Sequence, residues 1–187
     1  MDKELLKQEI EKLNKLSRNH ASFYNWHDKE IKEISIATDF FVQLEKVSDD
    51  RLLHIENAED PPDIKVTTQS HEVIGIELTE LVNEKAIGYQ IKEDPRYVNE
   101  LLNWDKEKFI AEVEYIINKK NVLCENFPSG YDRNVLLIFT DEPRLESKTI
   151  KGYIENKVWS RENAFDEIYI LTGYEPKESS AVLIKLT

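Results

Sequence analysis

Residues 56–80, ENAEDPPDIKVTTQSHEVIGIELTE, have the pattern of a β-hairpin with one carboxylate on each strand. The double proline before Asp63 restricts the backbone and disfavours a helix, so Asp63 is expected to open a strand. Alternating apolar residues follow it, and after the polar turn at residues 69–72 a second apolar run leads to Glu77. The hairpin therefore aligns Asp63 with Glu77, and two carboxylates aligned in this way could hold one hard metal ion.

The length and composition indicate one domain. The 187 residues are 40% hydrophobic and 10% aromatic, which gives enough apolar surface for one well-packed core. We expect a single domain over residues 1–187, with a helical appendage over residues 1–20 and a core over residues 28–187. The apolar runs are far shorter than the roughly 20 residues of a membrane helix, and the N-terminal stretch MDKELLKQEIEKL is charged and amphipathic. No membrane partner and a cytoplasmic location are expected.

The charge balance and the cysteine count exclude several classes of protein. Lys and Arg total 25 against 37 Asp and Glu, a net charge of −12, which opposes long-range attraction to nucleic-acid phosphates. The single cysteine, Cys124, excludes an internal disulfide and has no Cys or His at zinc-site spacing. The five glycines are too dispersed for a phosphate-binding loop. We therefore expect neither a zinc site nor nucleotide-driven chemistry.

The hydrophobic periodicity predicts both helices and strands. Helical spacing occurs over residues 3–17, 28–47, 98–102, 105–119 and 148–158. Strand patterns occur over residues 52–55, 63–68, 73–79, 134–140, 167–171 and 181–186. The first three strands follow one another through short turns, which favours an antiparallel meander. The predicted fold is α/β (α+β), a mixed central sheet flanked by helices with core order αβββαβ, an N-terminal helix and an extra C-terminal helix and strands.

Three finer expectations concern the helices. The second helix should bury Ile31, Ile34, Phe41 and Leu44, and Asp105 is a plausible cap for the helix over residues 105–119. The pattern loosens beyond residue 81, which predicts a long loop before the short helix at residues 98–102.

With Asp63 opening the second strand and Glu77 on the third, the chain resembles the PD-(D/E)XK nuclease-like superfamily, also called restriction-endonuclease-like. The matching residues are Pro62-Asp63 and Glu77-Leu78-Thr79, together with Glu45 on the preceding helix, where many members carry an additional acidic residue. The resemblance covers about two-thirds of the chain through element order and a handful of residues through sequence.

The resemblance implies a metal-dependent nuclease. Asp63, Glu77, Thr79 and Glu45 would occupy the catalytic positions, and Asp63, Glu77 and the Leu78 carbonyl would be ligands of Mg²⁺ or Mn²⁺. Mg²⁺ prefers oxygen ligands and keeps several waters, so such a set would suffice. The bound metal would then assist hydrolysis of phosphodiester bonds in DNA or RNA.

The third motif position departs from the family pattern. It holds Thr79, which cannot supply an ammonium group, and the nearest lysines by chain position are Lys85, Lys92 and Lys108. Loss of one preorganised donor costs about 2.7 to 4 kcal/mol of transition-state stabilisation. Both a slow enzyme and a non-catalytic relative are consistent with the substitution.

Two alternatives from other classes stay open. The net charge of −12 favours an acidic non-catalytic binding protein, such as an immunity or antitoxin protein that inhibits a basic nuclease toxin. The N-terminal stripe of Leu6, Ile10, Leu13 and Leu16 could mediate a homodimer or pack on its own domain. The partner is thus nucleic acid, a basic protein or a second copy of the chain.

Overall fold

The computed structural model describes residues 29–59, 61–124, 127–159 and 164–187. Within them lie the helices α1 (Lys29–Leu44), α2 (Glu84–Ile91), α3 (Arg96–Leu101), α4 (Lys106–Cys124) and α5 (Ser147–Ile154). The strands are β1 (Leu52–Asn57), β2 (Ile64–Thr68), β3 (Val73–Glu80), β4 (Arg133–Thr140), β5 (Glu167–Thr172) and β6 (Leu183–Lys185). The helix expected over residues 3–17, and with it the N-terminal appendage and the dimer stripe, lies outside the described residues.

The strands form one mixed sheet in the order β1-β2-β3-β4-β5-β6. The first three strands are the expected antiparallel meander, β3, β4 and β5 run parallel, and β6 returns antiparallel. The parallel connections need crossovers, which the helices between β3 and β4 and between β4 and β5 supply. The α/β class, the mixed sheet and the core order αβββαβ are therefore confirmed.

The sheet has a separate apolar core on each face. Helix α1 covers one face through Ile36, Ala37, Phe40, Phe41 and Leu44, which pack on the even-numbered residues of β2 and β3. Helices α4 and α5 cover the other face with Phe109, Val113, Ile117 and Ile150. The central strand β4 is buried on both sides, as the uninterrupted apolar run VLLIF requires. The result is a three-layer arrangement with the sheet in the middle.

The buried face of helix α1 includes Phe41 and Leu44, as expected, but not Ile31. Ile31 is exposed and Ile34 is half-buried, whereas the adjacent Phe40 and Phe41 are both buried. Two aromatic rings bury more apolar surface than the isoleucines of the first turns, so they set the rotation of the helix. The prediction that Ile31 is buried was wrong.

The segment after β3 is helical, so the prediction of a long loop was wrong. Asn83 caps α2 by accepting a hydrogen bond from the Ala86 N–H at 3.2 Å, and α3 follows after a short turn. Gly88 in the middle of α2 weakens the helical pattern in the sequence. The predicted cap of α4 is present, because Asp105 Oδ1 accepts from the Lys108 N–H at 2.8 Å.

The described helices include none that is both long and apolar enough to span a lipid bilayer.

Candidate functional site

The hairpin register brings Asp63 opposite Glu77. Ile64 is paired with Ile76, and the Ala58 N–H donates to the Asp63 carbonyl at 2.9 Å, which extends the β1/β2 ladder by one residue. Asp63 therefore stands one position beyond the last paired residues, on the side of β3 that carries Glu77 at the same level. In a regular antiparallel pair, the Cβ atoms of directly opposite residues are about 5 Å apart. Its Oδ2 accepts a hydrogen bond from the Leu78 N–H at 2.8 Å. The Asp63 carboxylate thus lies at the backbone of the residue that follows Glu77.

Gly75 allows the double proline to fold over this hairpin. A Cβ at Gly75 would lie 3.0 Å from Tyr131 Cδ1 and 3.1 Å from Pro62 Cγ, both side-chain atoms of rings packed on that position. Because Pro62 immediately precedes Asp63, this close packing helps to fix the backbone that carries the carboxylate. Glycine is needed here for close approach rather than for a special backbone angle.

Helix α1 adds a second buried carboxylate beside Asp63. The Lys29 ammonium lies 3.1 Å from Glu33 Oε1 and 3.5 Å from Asp63 Oδ1, so it bridges the two acids. The Glu33 and Asp63 side chains are 7% and 8% exposed, whereas the Lys29 side chain is 68% exposed. The hydrogen bond to Glu33 raises the pKa of Lys29 against the opposing effect of its partial burial. One exposed ammonium group thus contacts two buried carboxylates.

Glu45 does not join this group, which corrects the expectation that it is the additional helical acid. Its Oε1 accepts a hydrogen bond from the Leu52 N–H at 2.9 Å, and Leu52 pairs with Thr68 at the far end of β2 from Asp63. Five residues of strand correspond to roughly 16 Å. Glu33 lies on the buried stripe of α1 three turns earlier, and a glutamate on that stripe is the signal that could have identified it.

Helix α4 supplies a cation to Glu77. Lys120 Nζ lies 2.5 Å from Glu77 Oε1, and the two side chains are 17% and 4% exposed. Thr79 and Lys120 both line a cavity of about 90 Å³ between the end of β3 and α4. Lys120 follows Thr79 by 41 residues in the chain and places an ammonium group next to the same strand face.

The three lysines expected by chain position lie elsewhere. Lys108 donates to Glu100 Oε1 at 3.2 Å and to the Asn103 carbonyl at 2.9 Å. Lys85 contributes to lowering the pKa of Glu100, and Lys92 contributes to lowering that of Asp94, which places both near the α2–α3 segment. Lys120 could have been found from its spacing, because it falls one turn after Ile116 and Ile117 on the buried side of α4.

A buried lysine lies on the α1 side of the sheet, one turn from Lys29. Burial lowers the pKa of Lys32 from its usual value to about 8, against the opposing attraction of Glu80, Asp141 and Glu33. Glu80 ends β3 and Asp141 follows β4, so this lysine faces the carboxyl ends of two parallel strands. In open α/β sheets these strand ends are where ligands bind. The burial of Lys32 could not be predicted from the sequence, since it stands in the largely charged stretch DKEIKE.

The carboxylate oxygens near the hairpin are the type of ligand that a hard divalent cation prefers. Asp63, Glu77 and Glu33 offer carboxylate oxygens, and the Glu33–Asp63 pair already binds a positive group, the Lys29 ammonium. Mg²⁺ needs one or two protein carboxylates and takes its remaining ligands from water and substrate. Over the described parts of the chain, His, Cys, Asp and Glu side chains form no cluster of three or more arranged to hold a metal.

The two carboxylates have their cations on opposite layers. Lys29 approaches Asp63 from α1, whereas Lys120 approaches Glu77 from α4. The Asp63 carboxylate reaches the in-plane Leu78 N–H, so it lies at the sheet end between the two layers.

No protein-family model, no curated protein and no solved structure matches this chain.

Proposed function

We propose that this chain is a divalent-metal-dependent phosphodiesterase of the PD-(D/E)XK type that acts on nucleic acid. The observation that supports the proposal is the Glu77–Lys120 ion pair next to Leu78, whose N–H donates a hydrogen bond to the Asp63 carboxylate. Two carboxylates and one ammonium group are the charges that such chemistry needs.

Each residue has a distinct role in the proposal. Asp63 and Glu77 would hold the metal together with the Leu78 carbonyl, and the Leu78 N–H orients Asp63. A bound Mg²⁺ supplies Lewis-acid stabilisation of the phosphoryl group and lowers the pKa of a coordinated water. Lys120 places an ammonium group beside Glu77, where it would stabilise negative charge that develops on the phosphate. Thr79 lines the same cavity and offers a neutral hydroxyl in place of the motif lysine.

The direct test is hydrolysis of single-stranded DNA, double-stranded DNA and RNA with Mg²⁺ or Mn²⁺. We expect Glu77→Gln to abolish metal-dependent cleavage and Lys120→Met to slow it by about 10² to 10³. Lys108→Met is the matched control, because it removes a lysine from the same helix and breaks an ion pair with Glu100. Equal activity in Lys120→Met and Lys108→Met would refute the role given to Lys120, and absence of cleavage by the parent would refute the activity.

A second candidate function rests on the net charge of −12. An acidic binding protein that inhibits a basic nuclease would associate quickly at low salt because of charge complementarity. In that case a basic nuclease captured from the native host would bind the parent and Glu77→Gln equally, and the chain would cleave nothing. A cytoplasmic location belongs to both proposals and is checked by cell fractionation.

A further inference from the structure

One buried carboxylate connects the two ends of the α2–α3 segment. The Asn83 backbone N–H, just before α2, donates to Glu142 Oε1 at 2.8 Å. The Trp104 indole N–H, after α3, donates to Glu142 Oε2 at 3.0 Å. Glu142 follows β4 by two residues, and all three of these residues are buried. Each oxygen of the carboxylate thus binds one end of residues 83–104, which we call the α2–α3 lobe.

The α2–α3 lobe buries little apolar surface. Between its two ends, over residues 84–103, Ala86 is the only buried residue, and the other apolar side chains are half-buried or exposed. Segments with so few buried apolar contacts open at a low cost in free energy. The lobe is connected internally, because the Asn83 side chain donates to the Glu100 carbonyl at 2.7 Å. We therefore expect it to move as a unit.

Two other side chains also reach the C-terminal end of the lobe. Lys108 donates to Glu100 Oε1 at 3.2 Å and to the Asn103 carbonyl at 2.9 Å, and the Tyr153 hydroxyl donates to the Trp104 carbonyl at 3.3 Å. The lysine and glutamate side chains are 22% and 19% exposed, and the tyrosine contact is long. We expect each of these contacts to contribute less than a buried hydrogen bond to a carboxylate.

The N-terminal end of the lobe borders the candidate site. Val82 and Glu84, on either side of Asn83, line the cavity of about 90 Å³ that Thr79 and Lys120 also line. The backbone N–H that Glu142 binds therefore lies between two residues of the cavity wall. A displacement of Asn83 would move that wall.

We infer that Glu142 holds the α2–α3 lobe on the end of β4 and thereby fixes the wall of the cavity beside Lys120. Glu142 is a positioning residue, because it acts through Asn83 and Trp104 and is not among the residues that line the cavity. The effect on cleavage rests on the proposed function, whereas the attachment of the lobe does not.

The test is hydrogen–deuterium exchange of the full chain, followed by mass spectrometry, on the parent, Glu142→Gln and Glu175→Gln. Gln has nearly the size of Glu but offers one acceptor oxygen to two N–H donors. We expect amides of residues 84–103 to exchange about 10- to 100-fold faster in Glu142→Gln, with β4 and β5 unchanged. Glu175 is the matched control, since its two oxygens accept from the Ser147 N–H at 2.7 Å and hydroxyl at 2.8 Å. Glu175→Gln should leave exchange in the lobe unchanged.

A second variant and an activity measurement separate this role from general destabilisation. Trp104→Phe keeps an aromatic ring and removes the indole N–H, so it should speed exchange in the same segment, by less than Glu142→Gln. It decides the question if Glu142→Gln does not fold. In the cleavage assay, Glu142→Gln should react about tenfold more slowly or worse while its Kd for Mg²⁺ stays within about twofold of the parent value, because a displaced wall affects positioning rather than the metal ligands.

The possible outcomes distinguish the inference from the proposed function. Parent-like exchange of residues 84–103 in both variants, or equally faster exchange throughout the sheet, would overturn the inference and leave the proposed function standing. Faster exchange confined to the lobe, together with absence of cleavage by the parent, would support the attachment by Glu142 and refute the proposed function.

Discussion

The ammonium nitrogen of Lys120 lies 2.5 Å from Glu77 Oε1 and ties helix α4 to strand β3. Glu77 is buried on the face of the sheet that otherwise carries apolar residues such as Leu136 and Ile138. A carboxylate in that position needs a compensating cation, since an isolated buried charge is strongly unfavourable. The pair therefore has a structural role in addition to any chemical one.

Removing one partner of this pair should destabilise the protein more than removing both. Lys120→Met leaves the Glu77 carboxylate without its cation, and we expect a loss of about 2 to 4 kcal/mol in the free energy of unfolding. Replacing both residues by Met should recover a large part of that loss. Urea denaturation at pH 7 measures the difference, with Lys108→Met as the control. A double variant less stable than Lys120→Met would contradict the argument.

Packing at Gly75 links the hairpin to the site. Gly75→Ala adds a Cβ that lies 3.0 Å from the Tyr131 ring and 3.1 Å from the Pro62 ring. Both rings must shift to accommodate it. We expect a loss of about 1 to 3 kcal/mol, the usual cost of overpacking, together with weaker Mg²⁺ binding because Pro62 precedes Asp63. Chemical denaturation and metal titration of the variant measure the two effects.

The control for that substitution lies in helix α5. Gly152 is inside the helix and a Cβ there meets nothing within 4 Å. Gly152→Ala should therefore stabilise the protein by about 0.5 to 1 kcal/mol and leave metal binding unchanged. If both substitutions behaved alike, packing against Gly75 would not be what positions Asp63.

Short-range sequence patterns were sufficient to predict the first three strands of the sheet. Strand alternation, the double proline and the short turns predicted β1 to β3 and their antiparallel pairing, because hairpin register depends on neighbouring residues. The cationic partner of Glu77 could not be assigned in the same way. Lys120 is 43 residues from Glu77, and its approach depends on how α4 packs on the sheet. The choice between Glu33 on α1 and Glu45 directly after it likewise depended on which turn of the helix packs beside Asp63.

The buried Lys32 should make stability depend on pH in the alkaline range. Burial lowers its pKa in the folded protein to about 8, from 10.5 in the unfolded chain, so between these values the unfolded state binds more protons. Stability should therefore rise from pH 8 towards pH 10.5, by at most about 1.4 kcal/mol per pH unit. Lys32→Met should remove this rise, and denaturant midpoints from pH 7 to 10 measure it.

Other titratable groups also change the stability of the protein at alkaline pH. Burial raises the pKa values of Tyr97 and Tyr131, so the folded state holds their protons longer and these residues reduce stability above pH 10. The pKa of Lys29 is also raised, chiefly by its hydrogen bond to Glu33, and its contribution to stability is lost at still higher pH. Because both proteins contain these groups, the difference between the parent and Lys32→Met gives the contribution of Lys32 to the pH dependence of stability. A parallel pH profile in the two proteins would contradict the assignment.

A double-mutant cycle on metal binding decides whether Asp63 and Glu77 share one ion. Asp63 faces Glu77 across the hairpin, but their lysine partners come from opposite layers of the fold. If one ion contacts both carboxylates, removing either ligand disrupts the same site, and the losses in binding free energy for Asp63→Asn and Glu77→Gln should not add. We expect a coupling energy of about 0.5 to 3 kcal/mol from Mg²⁺ titrations of the parent, both single variants and the double variant.

The same cycle needs a pair of acids that the metal does not touch. Glu100 and Glu146 serve for this purpose, because each pairs with a lysine away from the hairpin. Glu100→Gln and Glu146→Gln should each change the Kd for Mg²⁺ less than twofold, and their effects should add, as distant sites do. Additive losses at Asp63 and Glu77 would mean two independent cation sites, one for each layer. A mechanism that requires a single ion between the strands would then be wrong.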